Sequence, residues 1–278
     1  MTSASGPIRA PAVAGRFYPG EPQRLAAEVA ALMRSPGRPA AHVQPRPAIA
    51  LVGPHAGYVY SGSILGQTYA GVVVPPRVVL MCPNHTGRGV ARSLWPGGGW
   101  QLPTGTVPVD EALGEALREH CGAVPDRDAH LLEHAIEVHL PFALARQPDL
   151  RIAALCLAGL DVSACRELGE GLARVVRECD EPVLLVASTD MSHYISAREA
   201  AVLDGLALDR VQALDPEGLL TTVRARGITM CGVIPTTVGL FAARALGATE
   251  AELVRSGNSG ERSGDYERVV GYAGVVVR

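Results

Sequence analysis

The sequence predicts an α/β fold: a three-layer α/β/α sandwich around a central, mostly parallel sheet. Short, valine-rich apolar runs alternate with segments of helical periodicity along most of the chain, and this alternation is typical of a parallel sheet covered on both faces. The apolar runs are nearly continuous, as expected for strands that are buried on both faces. The chain has 278 residues, of which 47% are hydrophobic, so it can bury a core of the size that this fold requires.

Each regular element is predicted from its local pattern. The first helix, for example, is predicted because Leu25, Val29 and Leu32 share one face. The strands are predicted at 48–52, 78–82, 151–159, 182–188, 251–257 and 268–277, and the last two are expected to pair antiparallel. The helices are predicted at 22–33, 62–70, 110–121, 128–147, 163–178, 197–214, 216–225 and 233–246.

The segments outside these elements also carry predictions. Residues 83–109 are rich in Gly and Pro and predict a long loop or an irregular hairpin, and a loop of that length is often functional. Residues 1–8 are expected to form a flexible N-terminal tail, and residues 9–278 are expected to form a single domain.

Composition and charge exclude several classes of protein. The net charge of −3 and the pI of about 6.2 lack the basic footprint of nucleic-acid-binding proteins. No uninterrupted apolar stretch is long enough to cross a membrane, and the N-terminus has no apolar region of the kind that secretion signals contain. The six cysteines include no CxxC pair, which argues against a disulfide framework. We therefore expect a cytoplasmic protein that binds neither nucleic acid nor membranes.

Several predicted core strands end close to side chains that bind metals or transfer protons. His55 follows the first strand, His85 follows the second, and Asp190 and His193 follow the fourth. Ligands of open α/β sheets bind beyond the carboxyl ends of the strands, so we expect these side chains to meet at one edge of the sheet. The alternative is that each is an ordinary surface or hydrogen-bonded loop residue.

Cys231 lies just before a predicted helix whose first turn contains Pro235. The positive end of the helix dipole is expected to lower the pKa of this thiol and to favour the thiolate, which is both a metal ligand and a nucleophile. The alternative is a buried, inert thiol. That description fits Cys156 and Cys179 better, because those residues lie within regular elements.

The segment "DAHLLEHAIEVHLPF" is the densest polar cluster in the sequence. His130 and His134 are four residues apart on a predicted helix and would share one face, which is a possible metal-binding spacing. The segment lacks an HExxH motif, however, and His134 and His139 would not share a face. For the cluster of Glu133, His134, Glu137 and His139 we predict a supporting or structural role rather than direct metal ligation.

Seven motifs that occur in order make the sequence resemble a known family. They are "AGRFYPG", "PHAGYVYSG", "PNHTG", "EHAIEVHLPF", "STDMSHY", "MCGVIPT" and "VVGYAG". With these motifs the chain resembles the MEMO family, whose bacterial and archaeal members are called AmmeMemoRadiSam system protein B. The resemblance extends from about Arg9 to the C-terminus.

This resemblance implies a fold similar to that of class III extradiol dioxygenases, the non-haem iron enzymes that open catechol rings. It also implies that His55 and His85 are metal ligands and that Cys231 is the third ligand, where the dioxygenases have a glutamate. Asp190 and His193 match the remaining polar residues of the family's pocket. Iron is the metal expected first, and the softer thiolate makes copper and zinc the alternatives.

Three functional hypotheses follow. The first is a dioxygenase-like, metal-dependent oxidoreductase of an unknown small-molecule substrate. In it, His193 is the general acid or base, since the ordinary pKa of an imidazole is near neutral, and Asp190 holds one imidazole in the useful tautomer. The second is a non-catalytic metal-binding or peptide-binding scaffold that acts with other AmmeMemoRadiSam proteins, including a radical-SAM protein. The third is catalysis by Cys231 as a nucleophile, with a histidine base and no metal.

Overall fold

A central β-sheet with helices on both faces forms the framework of the protein. The computed structural model describes residues 6–34 and 44–278. Its strands are β1 (Ile8–Arg9), β2 (Ala50–Gly53), β3 (Arg77–Pro83), β4 (Arg92–Leu94), β5 (Gly99–Leu102), β6 (Gly105–Pro108), β7 (Val124–Pro125), β8 (Arg151–Leu157), β9 (Val183–Ser188), β10 (His193–Ile195), β11 (Ala251–Asn258) and β12 (Val269–Val277). Its helices are α1 (Pro22–Leu32), α2 (Tyr58–Ala70), α3 (Glu111–Cys121), α4 (Leu140–Arg146), α5 (Val162–Glu178), α6 (Ala197–Gln212), α7 (Pro216–Ala225), α8 (Val233–Ala245) and α9 (Gly260–Ser263).

The strands at the middle of the sheet are parallel. They lie in the order β2, β9, β3 and β8, so that Val79 pairs with Ala153 on one side and with Leu185 on the other. Outside these four strands, β12 runs antiparallel to β2 and β11, and β4 runs antiparallel to β8. The short strand β7 at the far edge is parallel to β4. This architecture confirms the predicted α/β sandwich and the antiparallel pairing of the last two strands.

Alternate side chains of the buried strands enter two hydrophobic cores. In β3, Val79 and Met81 belong to the core that α3, α5, α6, α7 and α8 cover. Val78 and Leu80 belong to the core that α1, α2 and α4 cover. All four side chains are fully buried, and each contributes about 1.5–3 kcal/mol of transfer free energy. The strands are thereby fixed from both faces, so the loops at their carboxyl ends start from fixed points.

The predicted helix at 128–147 is wrong over its first half. The chain makes irregular turns up to a 3-10 turn at Glu137–His139, and α-helix begins only with α4. His130 and His134 therefore do not share a helical face, and the metal-binding spacing predicted for them does not exist.

Polar contacts with distant parts of the chain explain this irregular segment. The Glu133 carboxylate accepts the backbone N–H groups of His134 and Ala135. The Arg9 guanidinium, from β1, donates to the carbonyl oxygens of His130 and Glu133. These contacts satisfy backbone groups that a helix would pair internally, so the segment is stable without helical hydrogen bonds.

The segment predicted as a loop or hairpin at 83–109 contains three strands. β5 and β6 pair antiparallel as a hairpin, and β4 joins the edge of the central sheet. The hairpin also pairs with β1, in which Ile8 lies opposite Gly99. Of the predicted tail, residues 1–5 lie outside the described residues, and Ile8 is the first residue of β1.

Two further predictions concern the cysteines and the membrane. All six cysteines carry free thiols, in agreement with the predicted lack of a disulfide framework. Within 6–34 and 44–278, no helix combines the length and the apolar character that crossing a lipid bilayer requires.

Candidate metal centre

The carboxyl ends of three adjacent parallel strands carry the polar residues that the sequence singled out. His55, His85 and Asp190 each lie two residues beyond the end of their strand, which are β2, β3 and β9 respectively. Cys231 lies two residues before α8 and reaches the same edge of the sheet. One donor atom from each of His55, His85 and Cys231 lies within 4.8 Å of the other two. The fold therefore brings together two imidazoles and a thiol that are far apart in sequence.

The His55 imidazole is held by hydrogen bonds on the side that faces away from Cys231. Its Nδ1 lies 2.7 Å from Oγ of Ser188, and that hydroxyl donates to the carbonyl oxygen of Ala135 at 2.8 Å. Because the hydroxyl proton is used in this way, Oγ accepts the proton of Nδ1. The Nε2 lone pair of His55 therefore points to Sγ of Cys231, 3.3 Å away. Burial, followed by the charges of neighbouring imidazoles, lowers the pKa of His55 well below its usual range.

The His85 imidazole is oriented by a carboxylate. Nδ1 of His85 lies 2.9 Å from Oε1 of Glu133, and the backbone N–H of His85 donates to Oε2 at 2.7 Å. Burial alone would lower the pKa of His85, but the hydrogen bond and the charge of Glu133 raise it. A carboxylate that accepts the Nδ1 proton is typical of histidines that bind a metal through Nε2, since it leaves Nε2 free and more basic.

The pKa of the Cys231 thiol is shifted in the opposite direction from the one that the sequence predicted. Burial, followed by the negative charge of Asp190, raises the pKa of Cys231, although the backbone N–H of Asp190 donates to Sγ at 3.2 Å. The position before α8 does not offset this, and the expected lowering of the pKa is wrong for the protein without a bound cation. A cation at the three donor atoms would supply the positive charge that the thiolate needs.

Asp190 lies next to the donor atoms, but its carboxylate does not accept the Nδ1 proton of His55 or of His85. Its Oδ1 accepts the backbone N–H of His55 at 2.8 Å, and its Oδ2 is 4.0 Å from Nε2 of His55. Burial raises the pKa of Asp190 to about 6. The predicted tautomer-setting role belongs instead to Ser188 and Glu133, whereas Asp190 fixes the His55 backbone and presents an oxygen to the donor atoms.

His193 lies in the same cavity on a separate strand, β10. Its Nδ1 donates to the carbonyl oxygen of Thr229 at 2.9 Å, which leaves Nε2 available as a proton acceptor. The cavity has a volume of about 660 Å³, which is the size of a typical small-molecule site. Around the three donor atoms the cavity is lined by polar side chains, here called the inner polar residues: His55, His85, His134, Asp190 and His193.

Comparison with known proteins identifies the family. A family model described as Memo-like protein matches residues 9–276. The chain belongs to the MEMO family.

Relatives from this family match nearly the whole chain. A MEMO1 family protein of Methanopyrus kandleri is 39% identical over 279 residues, which cover 97% of this chain and 99% of the relative. A MEMO1 family protein of Aquifex aeolicus is 38% identical over 271 residues, covering 97% and 98%. The structure also resembles a crystal structure of an uncharacterized protein from Escherichia coli K12. That likeness has a TM-score of 0.50 and 15% identity over 80% of this chain and 98% of the other, and it shows the fold alone.

Sequence reasoning missed one contributor to the centre of this MEMO family member, Ser188, whereas it had proposed a supporting role for the other, His134. Ser188 contacts the imidazoles of His55 and His139, and its place at the end of β9, two residues before Asp190, was the signal that could have revealed it. His134 stacks on His85 with ring centroids 4.9 Å apart and lines the cavity. Donor atoms of His85, Glu133 and His134 also lie within 4.8 Å of one another, but the Glu133 carboxylate already accepts several N–H groups.

The remaining residues of the polar cluster have the supporting roles that were predicted. His139 contacts Ser188 through Nε2 at 3.0 Å, and its Nδ1 accepts from the Tyr69 hydroxyl at 3.2 Å. Glu137 accepts hydrogen bonds from Arg9 and Tyr18 and has no contact with the donor atoms. The cluster therefore surrounds the centre and fixes its geometry.

Proposed function

We propose that this protein binds one metal ion through Nε2 of His55, Nε2 of His85 and Sγ of Cys231. The observation that carries the proposal is the orientation of the two imidazoles. Each Nδ1 is engaged by a side chain other than the three proposed ligands, so both Nε2 lone pairs are left for a common ion near the thiol. Neutral imidazole and thiolate are ligands that suit iron, copper and zinc. Iron is the first choice.

The chemistry that we propose is that of a metal-dependent, dioxygenase-like oxidoreductase acting on a small molecule. A metal ion in such a site activates oxygen or polarises a substrate oxygen. The chain's own residues supply the proton chemistry. Nε2 of His193 accepts or returns a proton of the substrate, and Asp190, whose pKa burial raises to about 6, is a second proton-exchanging group.

Metal analysis of purified protein tests the ligand assignment. We expect His55→Ala, His85→Ala and Cys231→Ser each to lose most of the metal that the wild-type protein contains. His120→Ala is the matched control, because His120 lies on α3 beside Glu178 and not in the cavity. Wild-type metal content in the His85→Ala variant would refute ligation by His85.

Oxygen uptake with a panel of catechols, after anaerobic reconstitution with Fe(II), tests the reaction. We expect turnover by the wild-type protein and a loss of about 100-fold or more in His193→Gln, with the metal content unchanged. An absence of turnover across the panel would remove the support for dioxygenase chemistry and leave metal binding as a separate result.

A non-catalytic binding role is the second candidate, and one observation favours it. The cavity mouth exposes large apolar side chains, with Val59 61%, Tyr60 42% and Tyr194 65% exposed. Exposed apolar groups of this kind are typical of surfaces that bind peptides or other proteins. Metal binding without turnover, together with saturable peptide binding that Tyr60→Ser weakens, would favour this role.

Metal-free catalysis by a Cys231 nucleophile has less support. Nε2 of His55 is within reach of Sγ at 3.3 Å. Burial, however, lowers the pKa of His55 and raises the pKa of Cys231, so both groups are held in their neutral forms. A thiolate–imidazolium pair is therefore disfavoured here.

A further inference from the structure

Two arginine side chains line the mouth of the cavity that leads to the candidate metal centre. Arg16 comes from the arm before α1, and Arg268 comes from the residue before β12. Among residues 6–34 and 44–278, neither guanidinium has a carboxylate oxygen within 4.0 Å or donates a hydrogen bond. Several other arginines, such as Arg9 and Arg92, have carboxylate partners. These two guanidinium groups thus keep all of their donors for a ligand.

The charges at the mouth favour an anion with a single negative charge. Asp265 is the carboxylate that accompanies the two arginines, and its Oδ1 accepts the backbone N–H groups of Glu267 and Arg268. The mouth therefore carries one net positive charge from two arginines and one aspartate. A guanidinium binds a planar carboxylate through two parallel hydrogen bonds, whereas a dianion would be under-compensated here and repelled by Asp265.

Tyr194 supplies an aromatic surface beside Arg268. Its backbone has a φ of 62°, a left-handed conformation that is uncommon for a residue with a bulky side chain. This conformation presents the ring to solvent, 65% exposed, and the Arg268 guanidinium lies 5.1 Å from the ring centroid. Strained residues of this kind cluster at ligand-binding sites. Since Tyr194 directly follows His193, the ring is at the same time at the mouth and next to the inner polar residues.

We propose that Arg16 and Arg268, with Tyr194 as an aromatic platform, form an anion-recognition rim, and that the cavity takes a small planar compound that carries one carboxylate. The rim binds the carboxylate and stacks on the body of the compound, while the other end of the compound faces the inner histidines. This inference rests on the proposed function only for the contacts of that inner end.

The test compares two probes that differ in one charge. We would titrate Fe(II)-loaded protein without oxygen with 3,4-dihydroxybenzoate and with its methyl ester, using calorimetry. The wild-type protein is expected to bind the acid about tenfold more tightly than the ester, since hydrogen bonds to a charged group carry this discrimination. The preference should shrink in Arg16→Gln and Arg268→Gln, vanish in the double variant, and fall as NaCl is raised.

Arg24→Gln is the matched control, because Arg24 is an exposed arginine on α1 that does not line the cavity. It should keep the full preference for the acid. Equal affinity for acid and ester in the wild-type protein would overturn the proposal. So would a preference that survives in the double variant, or a failure to bind either probe.

A second arm separates the rim from the metal centre. Benzoate, benzamide and phenyl phosphate would be titrated into metal-free protein, with binding followed by ligand-observed NMR. Benzoate should bind more tightly than benzamide, and the double variant Arg16→Gln/Arg268→Gln should remove the difference. This outcome is expected even if metal analysis shows that His55, His85 and Cys231 bind no ion. Tighter binding of phenyl phosphate than of benzoate would overturn the assignment of a monoanion.

Discussion

The Glu133 carboxylate holds His85 at two places at once: Oε1 lies 2.9 Å from Nδ1 of the imidazole, and Oε2 accepts the backbone N–H at 2.7 Å. One side chain thereby fixes both the loop after β3 and the ring that this loop carries. Burial would raise the pKa of Glu133, but the hydrogen bonds and charge of His85 lower it, so the group stays ionised.

We expect Glu133→Gln to weaken metal affinity by about tenfold to a hundredfold, because the neutral amide cannot accept from both N–H groups in the same way. Competition with a chromophoric chelator measures the affinity. Glu115→Gln is the control, since Glu115 forms an exposed pair with Arg118 on α3. An unchanged affinity in Glu133→Gln would show that the orientation of His85 does not depend on this carboxylate.

Ser188→Ala is expected to lower the free energy of unfolding by about 2 kcal/mol, because the buried hydroxyl serves His55, His139 and Ala135 together. Urea denaturation at neutral pH measures this loss. Ser163→Ala, at an exposed site on α5, should change the stability by less than about 0.5 kcal/mol. Equal stability of the two variants would contradict the network.

The Arg9–Glu137 pair predicts a large effect on stability. Both side chains are buried, at 1% and 0% exposure, and Oε2 of Glu137 is 2.6 Å from Nη1 of Arg9. Glu137→Gln leaves a buried guanidinium without its counter-charge, so we expect a loss of about 3–5 kcal/mol in the free energy of unfolding. Breaking the exposed Arg118–Glu115 pair should cost under about 1 kcal/mol, and a similar cost for both pairs would be evidence against the buried one.

His130 predicts a specific dependence of stability on pH. Burial lowers its pKa to about 4, and the side chain is fully buried. A histidine whose pKa is lowered in the folded state stabilises the protein above the unfolded pKa of about 6.5, and this contribution is lost as the pH falls towards 4. The shift corresponds to about 3 kcal/mol.

Urea denaturation between pH 7 and pH 4 measures this dependence. The free energy of unfolding of His130→Gln should fall less over that range than the wild-type value, by about 3 kcal/mol. Glutamine can keep the hydrogen bond that Nε2 of His130 forms with the Ser93 carbonyl at 3.3 Å. Parallel pH profiles of the two proteins would mean that His130 does not titrate in this range.

The sequence was sufficient for those parts of the site that depend on the sheet. His55 and His85 could be assigned to one edge because the ends of parallel strands meet there whatever the side chains are. It was insufficient for 128–136, where periodicity predicts a helix. The deciding contacts come from Arg9, more than a hundred residues earlier, and no local pattern contains them.

The electrostatic state of Cys231 could not be predicted for a related reason. Its distance from the start of α8 is visible in the sequence, and that feature alone favours a thiolate. The depth of burial and the approach of the Asp190 carboxylate depend on the whole fold, and they reverse the direction of the pKa shift.

The hydrogen bonds between Arg9 and the segment that carries Glu133 join parts of the chain that are separated by more than 120 residues. Contacts of such large sequence separation form late during folding, because the entropy of closing a long loop must be overcome before they contribute. The imidazole of His85 therefore acquires its final orientation only after the chain up to Glu137 has been synthesised and the N-terminal arm has docked. The geometry of this part of the site is thus sensitive to anything that delays docking of the arm.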